Sequence, residues 1–158
     1  MAVSCKILVG TMTGTADLVA EELRDGLRAE GHAAEIVPMD RLRADAFASG
    51  GLYLICTSTY GQGDVPDNTR DFFEALERER PDLSQVCFGL FGLGDTTYLD
   101  TFCFGGKRFQ RLLTELGATL LGQPFYHDAA SGTLPEEEAV GWLRGWLDAV
   151  PEPLRQAA

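Results

Sequence analysis

The chain has 158 residues, enough for one domain with a substantial buried core. Its composition, 45% hydrophobic and 23% charged, is that of a globular protein and excludes disordered, collagen-like and coiled-coil chains. Thirteen Lys plus Arg against 24 Asp plus Glu leave a net charge of −11, which argues against nucleic-acid or membrane partners and would steer basic partners toward the surface.

The N-terminal apolar stretch is broken by Lys6 and leads into a glycine loop, so it does not read as a signal peptide. No apolar run is long enough to span a bilayer. Cys5, Cys56, Cys87 and Cys103 form no CxxC pair and have no metal-ligand spacing. They read as reduced thiols, and the expected compartment is the cytoplasm.

The first strand is expected over Cys5–Gly10. A helix follows over Ala16–Glu30, with Ala16, Val19, Ala20, Leu23 and Leu27 on one face and Gly31 as its stop. A short strand covers Ala34–Pro38 and a helical turn Arg41–Phe47. The third strand, Leu52–Thr57, is continuously apolar, as a strand buried on both faces must be. Asn68–Arg80 reads as a helix with Phe72, Phe73 and Leu76 inward, ended by Pro81. A fourth strand spans Val86–Phe91. The next helix, Gly106–Leu116, carries Phe109, Leu112, Leu113 and Leu116, and a fifth strand spans Thr119–Tyr126. The last helix starts at Pro135, a favoured first-turn residue; Glu136, Glu137 and Glu138 complement its dipole, and Val140, Leu143, Leu147 and Val150 form its inward stripe. Trp142 and Trp146, four apart, read as packing residues. The domain should cover residues 1–150, with 151–158 as a tail.

This alternation predicts an α/β three-layer sandwich around a five-stranded parallel sheet of order 2-1-3-4-5. Such folds bind ligands beyond the carboxyl ends of the strands, at the switch between strands one and three. Three loops at those ends carry unusual chemistry. Gly10-Thr11-Met12-Thr13-Gly14-Thr15-Ala16 combines hydroxyls, backbone N–H groups and a helix N-terminus without a Lys or Arg. It suits a phosphate held by neutral donors, and equally a Thr-rich helix cap. It matches neither the P-loop nor the dinucleotide glycine motif. The second loop, Thr57 to Asn68, pairs Tyr60 with Gly61 and Gly63. The third, Gly92 to Cys103, pairs Gly92 and Gly94 with Tyr98. Each alone could be an ordinary loop; together they describe a site for a phosphorylated aromatic ring.

In these segments the sequence resembles the flavodoxin family, specifically its short-chain, MioC-like branch. Thr-Met-Thr-Gly-Thr, Ser-Thr-Tyr-Gly-Gln-Gly-Asp-Val-Pro-Asp-Asn and Gly-Leu-Gly-Asp-Thr-Thr-Tyr-Leu-Asp-Thr-Phe-Cys look like its three FMN-binding loops. The FMN domains of diflavin reductases are similar too. The resemblance implies a flavodoxin-like fold with FMN as cofactor. It places Thr11, Met12, Thr13, Gly14, Thr15 and Ala16 around the phosphate, and Ser58 and Thr59 near the ribityl chain or ring edge. Tyr60 and Tyr98 would flank the isoalloxazine, with the Gly61–Gln62 peptide facing N5. Gly63, Leu93, Gly94, Asp95, Phe102 and Cys103 would line the ring pocket, and Asp128 would lie near the ring edge. Ala16 departs from the pattern, because many flavodoxins carry Thr there; Met12 stands where a small hydroxyl residue is common.

The implied function is single-electron transfer without bond-breaking chemistry. The implied partners are an NAD(P)H-dependent flavodoxin reductase and acceptor redox enzymes, docked transiently by a monomer. A flip of the peptide at Gly61 would favour the one-electron-reduced ring. Asp64, Asp67, Asp95 and Asp100 in the ring loops would disfavour its fully reduced anion. His32 reads as a solvated loop residue, and neighbouring His127 and Asp128 do not form a ready-made relay. A phospho-acceptor domain of the same topology would need acidic residues after the first and third strands, where Gly10-Thr11 and Thr57-Ser58 stand. An FMN-dependent quinone reductase and a non-redox interaction module remain as alternatives.

Overall fold

The computed structural model describes residues 2–10, 14–59, 67–94 and 103–154, with the backbone alone for 67, 68 and 104. Strand β1 (Ser4–Gly10) leads into helix α1 (Thr15–Ala29), and β2 (Ala33–Pro38) follows. Two 3-10 turns, Met39–Arg41 and Ala44–Phe47, precede β3 (Gly51–Thr57). Then come α2 (Asp67–Glu79), β4 (Val86–Gly94), α3 (Phe104–Glu115), β5 (Thr119–Leu120), β6 (Phe125–Asp128) and α4 (Pro135–Asp148).

The sheet runs β2-β1-β3-β4-β5, with β6 also paired to β4, and all its pairings are parallel. This is the expected order. Strand alternation divides the core in two. Ile7, Leu54, Cys56 and Phe91 face α1 and α4, where they meet Val19, Leu23, Leu143 and Trp146. Leu8, Tyr53, Ile55, Phe88 and Leu90 face α2 and α3, where they meet Phe72, Leu76, Phe109 and Leu113. Covered on both sides, β3 and β4 have no polar face to show, which is why their sequences are continuously apolar, whereas β1 exposes Ser4 and Lys6 at its start.

Four local expectations are corrected. The fifth strand is not continuous over Thr119–Tyr126. Its first piece pairs with Cys87–Phe88 and its second with Phe91–Gly94. Between them Gly122 adopts φ 64, and Pro124 has no N–H to give to a ladder. The fourth strand runs on through Gly94, because β6 supplies partners as far as Gly94↔Asp128. The helical turn expected over Arg41–Phe47 is instead the two 3-10 turns, which bury Met39 and Phe47. Val140 is exposed rather than inward: α4 turns Ala139, Leu143, Trp146 and Leu147 to the core. The cause is Gly89, where a Cβ would lie 2.2 Å from Trp146 Nε1; the indole sits directly on the strand and sets the rotation of the helix.

The cysteines are all free, with Cys87 half-buried and the others buried. His32 is not a solvated loop residue. It is half-buried, and its Nδ1 accepts the Val3 N–H at 3.1 Å, tying β1 to the start of β2.

Candidate functional site

The strand order reverses between β1 and β3, so the helices following these strands leave on opposite faces and a crevice opens at their carboxyl ends. A cavity of about 360 Å³ lies at this edge. Thr15 lines it from the start of α1, Ser58 and Thr59 from the exit of β3, and Leu93 and Gly94 from the end of β4. Its far wall is His127, Ala129, Thr133 and Pro135, from β6 and the approach to α4. A groove of equal volume between α2 and α3 lies on the flank of the helical layer, away from the strand ends. It holds an Arg111–Glu115 ion pair at 3.2 Å, and its described lining comes from α2 and α3.

Hydrogen bonds and close backbone approach hold this edge together. Ser58 N donates to Gly10 O at 3.0 Å, joining the exits of β3 and β1. The Thr59 hydroxyl donates to Leu93 O at 3.1 Å and accepts Gly105 N–H at 3.0 Å, so one side chain pins β3, β4 and α3. That hydroxyl is committed to the scaffold. A Cβ on Gly105 would stand 2.3 Å from Ser58 O, and one on Gly94 would stand 2.6 Å from Cys103 N. Neither backbone contact can yield to a side chain.

Cys103 takes the left-handed conformation (φ 54) just before α3, and its thiol donates to His127 O at 3.6 Å. Burial pushes that thiol up to about 12, against a smaller downward pull from Lys107. It is a neutral packing group and no nucleophile. The Asp128 carboxylate accepts Ala130 N–H at 2.9 Å and caps the 3-10 turn Ala129–Ser131. In the first turn of α1, burial and then the Glu21 charge raise the Asp17 carboxyl above its ordinary value.

Of the expected site residues, Thr15, Ser58, Thr59, Leu93 and Gly94 share the cleft. Gly14 precedes α1 with φ 90, and Ala16 is buried beneath that turn. Thr11, Met12, Thr13, Tyr60, Gly61, Gln62, Gly63, Asp95, Tyr98 and Phe102 lie outside the described residues, as do Asp64, Asp100 and the Asp67 side chain. Sequence reasoning did not bring His127, Ala129, Thr133 and Pro135 to the cleft. The available signal was the two-residue alternation of β6: Phe125 packs in the α1/α4 layer, so His127 follows it on that face at the strand's open end. Among the described residues, no group of His, Cys, Asp and Glu is placed to hold a metal ion.

A parallel doubly wound sheet with its cleft at the switch point defines a class of α/β ligand-binding proteins. Comparison with known proteins narrows it. The flavodoxin family model matches residues 7–142, and the chain belongs to the flavodoxin family. MioC of Escherichia coli O157:H7 is 34% identical over 142 residues, spanning 90% of this chain and 95% of that one. Flavodoxin YqcA of Escherichia coli K12 is 36% identical over 140 residues, spanning 89% and 93%. NADPH-dependent diflavin oxidoreductase 1 of Cryptococcus neoformans is 38% identical over 145 residues, which are 90% of this chain but 23% of that protein. Among solved structures, a cysteine-to-alanine mutant of a flavodoxin from Pseudomonas aeruginosa superposes with a TM-score of 0.82 at 33% identity, covering 94% of this chain and 98% of that one.

FMN is therefore the cofactor, and the protein is an FMN-containing electron-transfer protein. The cleft suits it. Thr15 and Ser58 bring neutral hydroxyls to the cleft beside the opening turn of α1, where a phosphate can be met without a Lys or Arg among the described lining residues. Leu93, buried at the end of β4, gives an apolar wall. Among the described residues no helix is long and apolar enough to cross a membrane.

Proposed function

We propose that this protein carries single electrons from an NAD(P)H-dependent reductase to acceptor redox enzymes, docking with each transiently as a monomer and breaking no bonds itself. One observation supports this reading above the others: Thr15, Ser58 and Thr59, and Leu93 and Gly94, drawn from three separate strand ends, line one cleft. When bound, FMN supplies the electron-carrying ring.

The chain's task is then to hold and shield the cofactor. We assign Thr11, Met12, Thr13, Gly14, Thr15 and Ala16 to the phosphate. Ser58 and Thr59 go to the ribityl chain, with Thr59 acting through its backbone because its hydroxyl is engaged with Leu93 and Gly105. Tyr60 and Tyr98 flank the ring, with the Gly61–Gln62 peptide at N5. Gly63, Leu93, Gly94, Asp95, Phe102 and Cys103 surround the ring, and Asp128 stands at its edge. The net charge of −11 supports docking to basic patches, weakened by salt. The likeness to one part of an NADPH-dependent diflavin oxidoreductase supports an NADPH-fed donor.

The test is the visible spectrum of the purified protein with an anaerobic reductive titration. A yellow protein that accepts its two electrons in separate steps is expected. A colourless chain that takes up no added FMN overturns the reading. Sustained NADPH oxidation with a quinone by the isolated protein would move it to the quinone reductases.

A further inference from the structure

Three large apolar side chains stand exposed among the described residues: Leu18 at 52%, Leu134 at 52% and Val140 at 37%. They are not scattered. Leu18, Glu22 and Gly26 follow one another at four-residue spacing, so they share one flank of α1. A Cβ on Gly26 would lie 3.1 Å from Leu143 Cδ2, so that flank is the one turned toward α4. Val140, three residues before Leu143, lies one turn nearer the start of α4, on the flank that meets α1. Both helices start at the carboxyl ends of the strands and run side by side in the same direction. Leu18 lies about 12 Å before Gly26, and Leu134 about as far before Leu143. These ends stay together, because Thr15 and Pro135 line one cleft. The three apolar groups therefore gather along the α1/α4 groove and reach one rim of the cofactor cleft.

The charges around them have one sign. Asp17, Glu21 and Glu22 on α1 and Glu137 on α4 are exposed, and Glu136 is half-buried. No Lys or Arg occurs in residues 15–23 or 134–143. The next cation along α1, Arg24, is held by Asp25 at 3.0 Å. A single exposed leucine is ordinary, but three apolar groups inside a ring of carboxylates form a surface with an apolar centre and a polar rim. A second copy of this chain would bring carboxylates against carboxylates, and an anionic bilayer would also be repelled. A protein surface with an apolar centre inside Lys and Arg complements it in both respects.

We infer that the N-terminal halves of α1 and α4, centred on Leu18, Leu134 and Val140, form the docking face for a redox protein that presents an apolar patch ringed by Lys and Arg. The inference rests on the electron-carrier reading. The carboxylates draw and orient the partner over distance, an effect that salt screens. The apolar centre adds adhesion that salt does not screen, and it does so on the rim of the cleft that holds the electron-carrying ring.

The probe is cytochrome c, a basic protein whose exposed haem edge is ringed by lysines. Two measurements use the full-length, FMN-loaded protein. The first is an NMR footprint of the isotope-labelled protein on adding cytochrome c, which reads docking without electron transfer. The second is the second-order rate at which protein reduced by one equivalent of dithionite gives an electron to ferric cytochrome c, the flavin being oxidised as the haem iron becomes ferrous. The footprint should centre on Leu18, Glu22, Leu134, Glu137 and Val140. Glu22→Gln with Glu137→Gln should slow the reaction about fivefold at low salt and converge with the parent at high salt. Glu30→Gln with Glu35→Gln removes the same charge at the far end of the sheet and should change the rate less than about twofold. Leu18→Ser with Leu134→Ser should slow it about fivefold at every salt concentration. All these side chains are exposed, and an unchanged flavin spectrum shows that each variant keeps its cofactor.

A footprint on another face, or equal losses from the two glutamate pairs, overturns this inference and leaves the carrier reading standing. A footprint on this face with no electron delivered overturns the carrier reading and leaves the docking face in place. Leucine variants that react as the parent does overturn the apolar centre.

Discussion

The two ends of the sheet use glycine for opposite reasons. At the amino ends of the strands, Gly51 takes φ 104 and has no heavy atom within 4 Å of a built Cβ. Its job is conformational: it turns the chain into β3 and donates to Gln85 O at 2.9 Å. At the carboxyl ends, Gly94 and Gly105 have no room for a Cβ, because backbone from another element occupies that space. The first end turns through backbone conformations that glycine supplies, while Gln85, just before β4, accepts the Gly51 N–H. The second is held by proximity between separate segments: the Thr59 hydroxyl bonds Leu93 and Gly105, Ser58 O crowds Gly105, and Gly94 packs against Cys103. A cleft that must grip a planar cofactor needs the second kind of end.

The sharpest break in that comparison is Gly105→Ala, which puts a methyl onto Ser58 O. It should cost about 3 kcal/mol in urea unfolding and weaken FMN binding as well. An unchanged midpoint would mean the cleft edge yields easily. Thr59→Val should cost about 2 kcal/mol by stranding Leu93 O and Gly105 N, and Thr59→Ser should restore most of it. Gly51→Ala should cost about 1 kcal/mol through its left-handed backbone, with no change in FMN affinity. A loss of flavin from that variant would show that the two ends are not independent.

The smallest effects concern pH, and they have opposite signs at the two ends. Asp82 lies at the amino end of β4, and the Ser84 N–H that it accepts at 2.9 Å lowers its carboxyl below the ordinary 3.8. A lowered carboxyl contributes stability above its unfolded value and loses it as pH falls through the folded one. Asp82→Ala should therefore be less stable at neutral pH, with the gap from the parent closing in acid unfolding below pH 3.8. Asp17 is raised by burial and by Glu21, so its contribution is fully present below the unfolded value and is lost as pH rises through the folded one. Asp17→Asn should gain stability over the parent at neutral pH, and that gain should vanish in acid. Thermal melts of both variants at pH 3 to 7 check the pair of signs.

The linear chain determined much of this protein on its own. Spacing of three and four residues placed Val19, Leu23 and Leu27 on one helix face, and continuous apolarity marked β3 as buried on both sides; both patterns reflect local geometry that survives any tertiary context. The motif residues in the three loops also carried the family, because a phosphate and a flat ring demand hydroxyls, glycines and aromatics at fixed local spacing. Tertiary structure alone decided what depends on two distant segments meeting. The rotation of α4 that exposes Val140 follows from Trp146 settling on Gly89. The break at Gly122 and the extension of β4 to Gly94 follow from which partner each strand finds. His127 enters the cleft wall because β6 pairs beside β4 and ends level with Gly94. Periodicity along a chain reports which face a residue shares with its neighbours, whereas contact between strands depends on register and crossover, which no local spacing encodes.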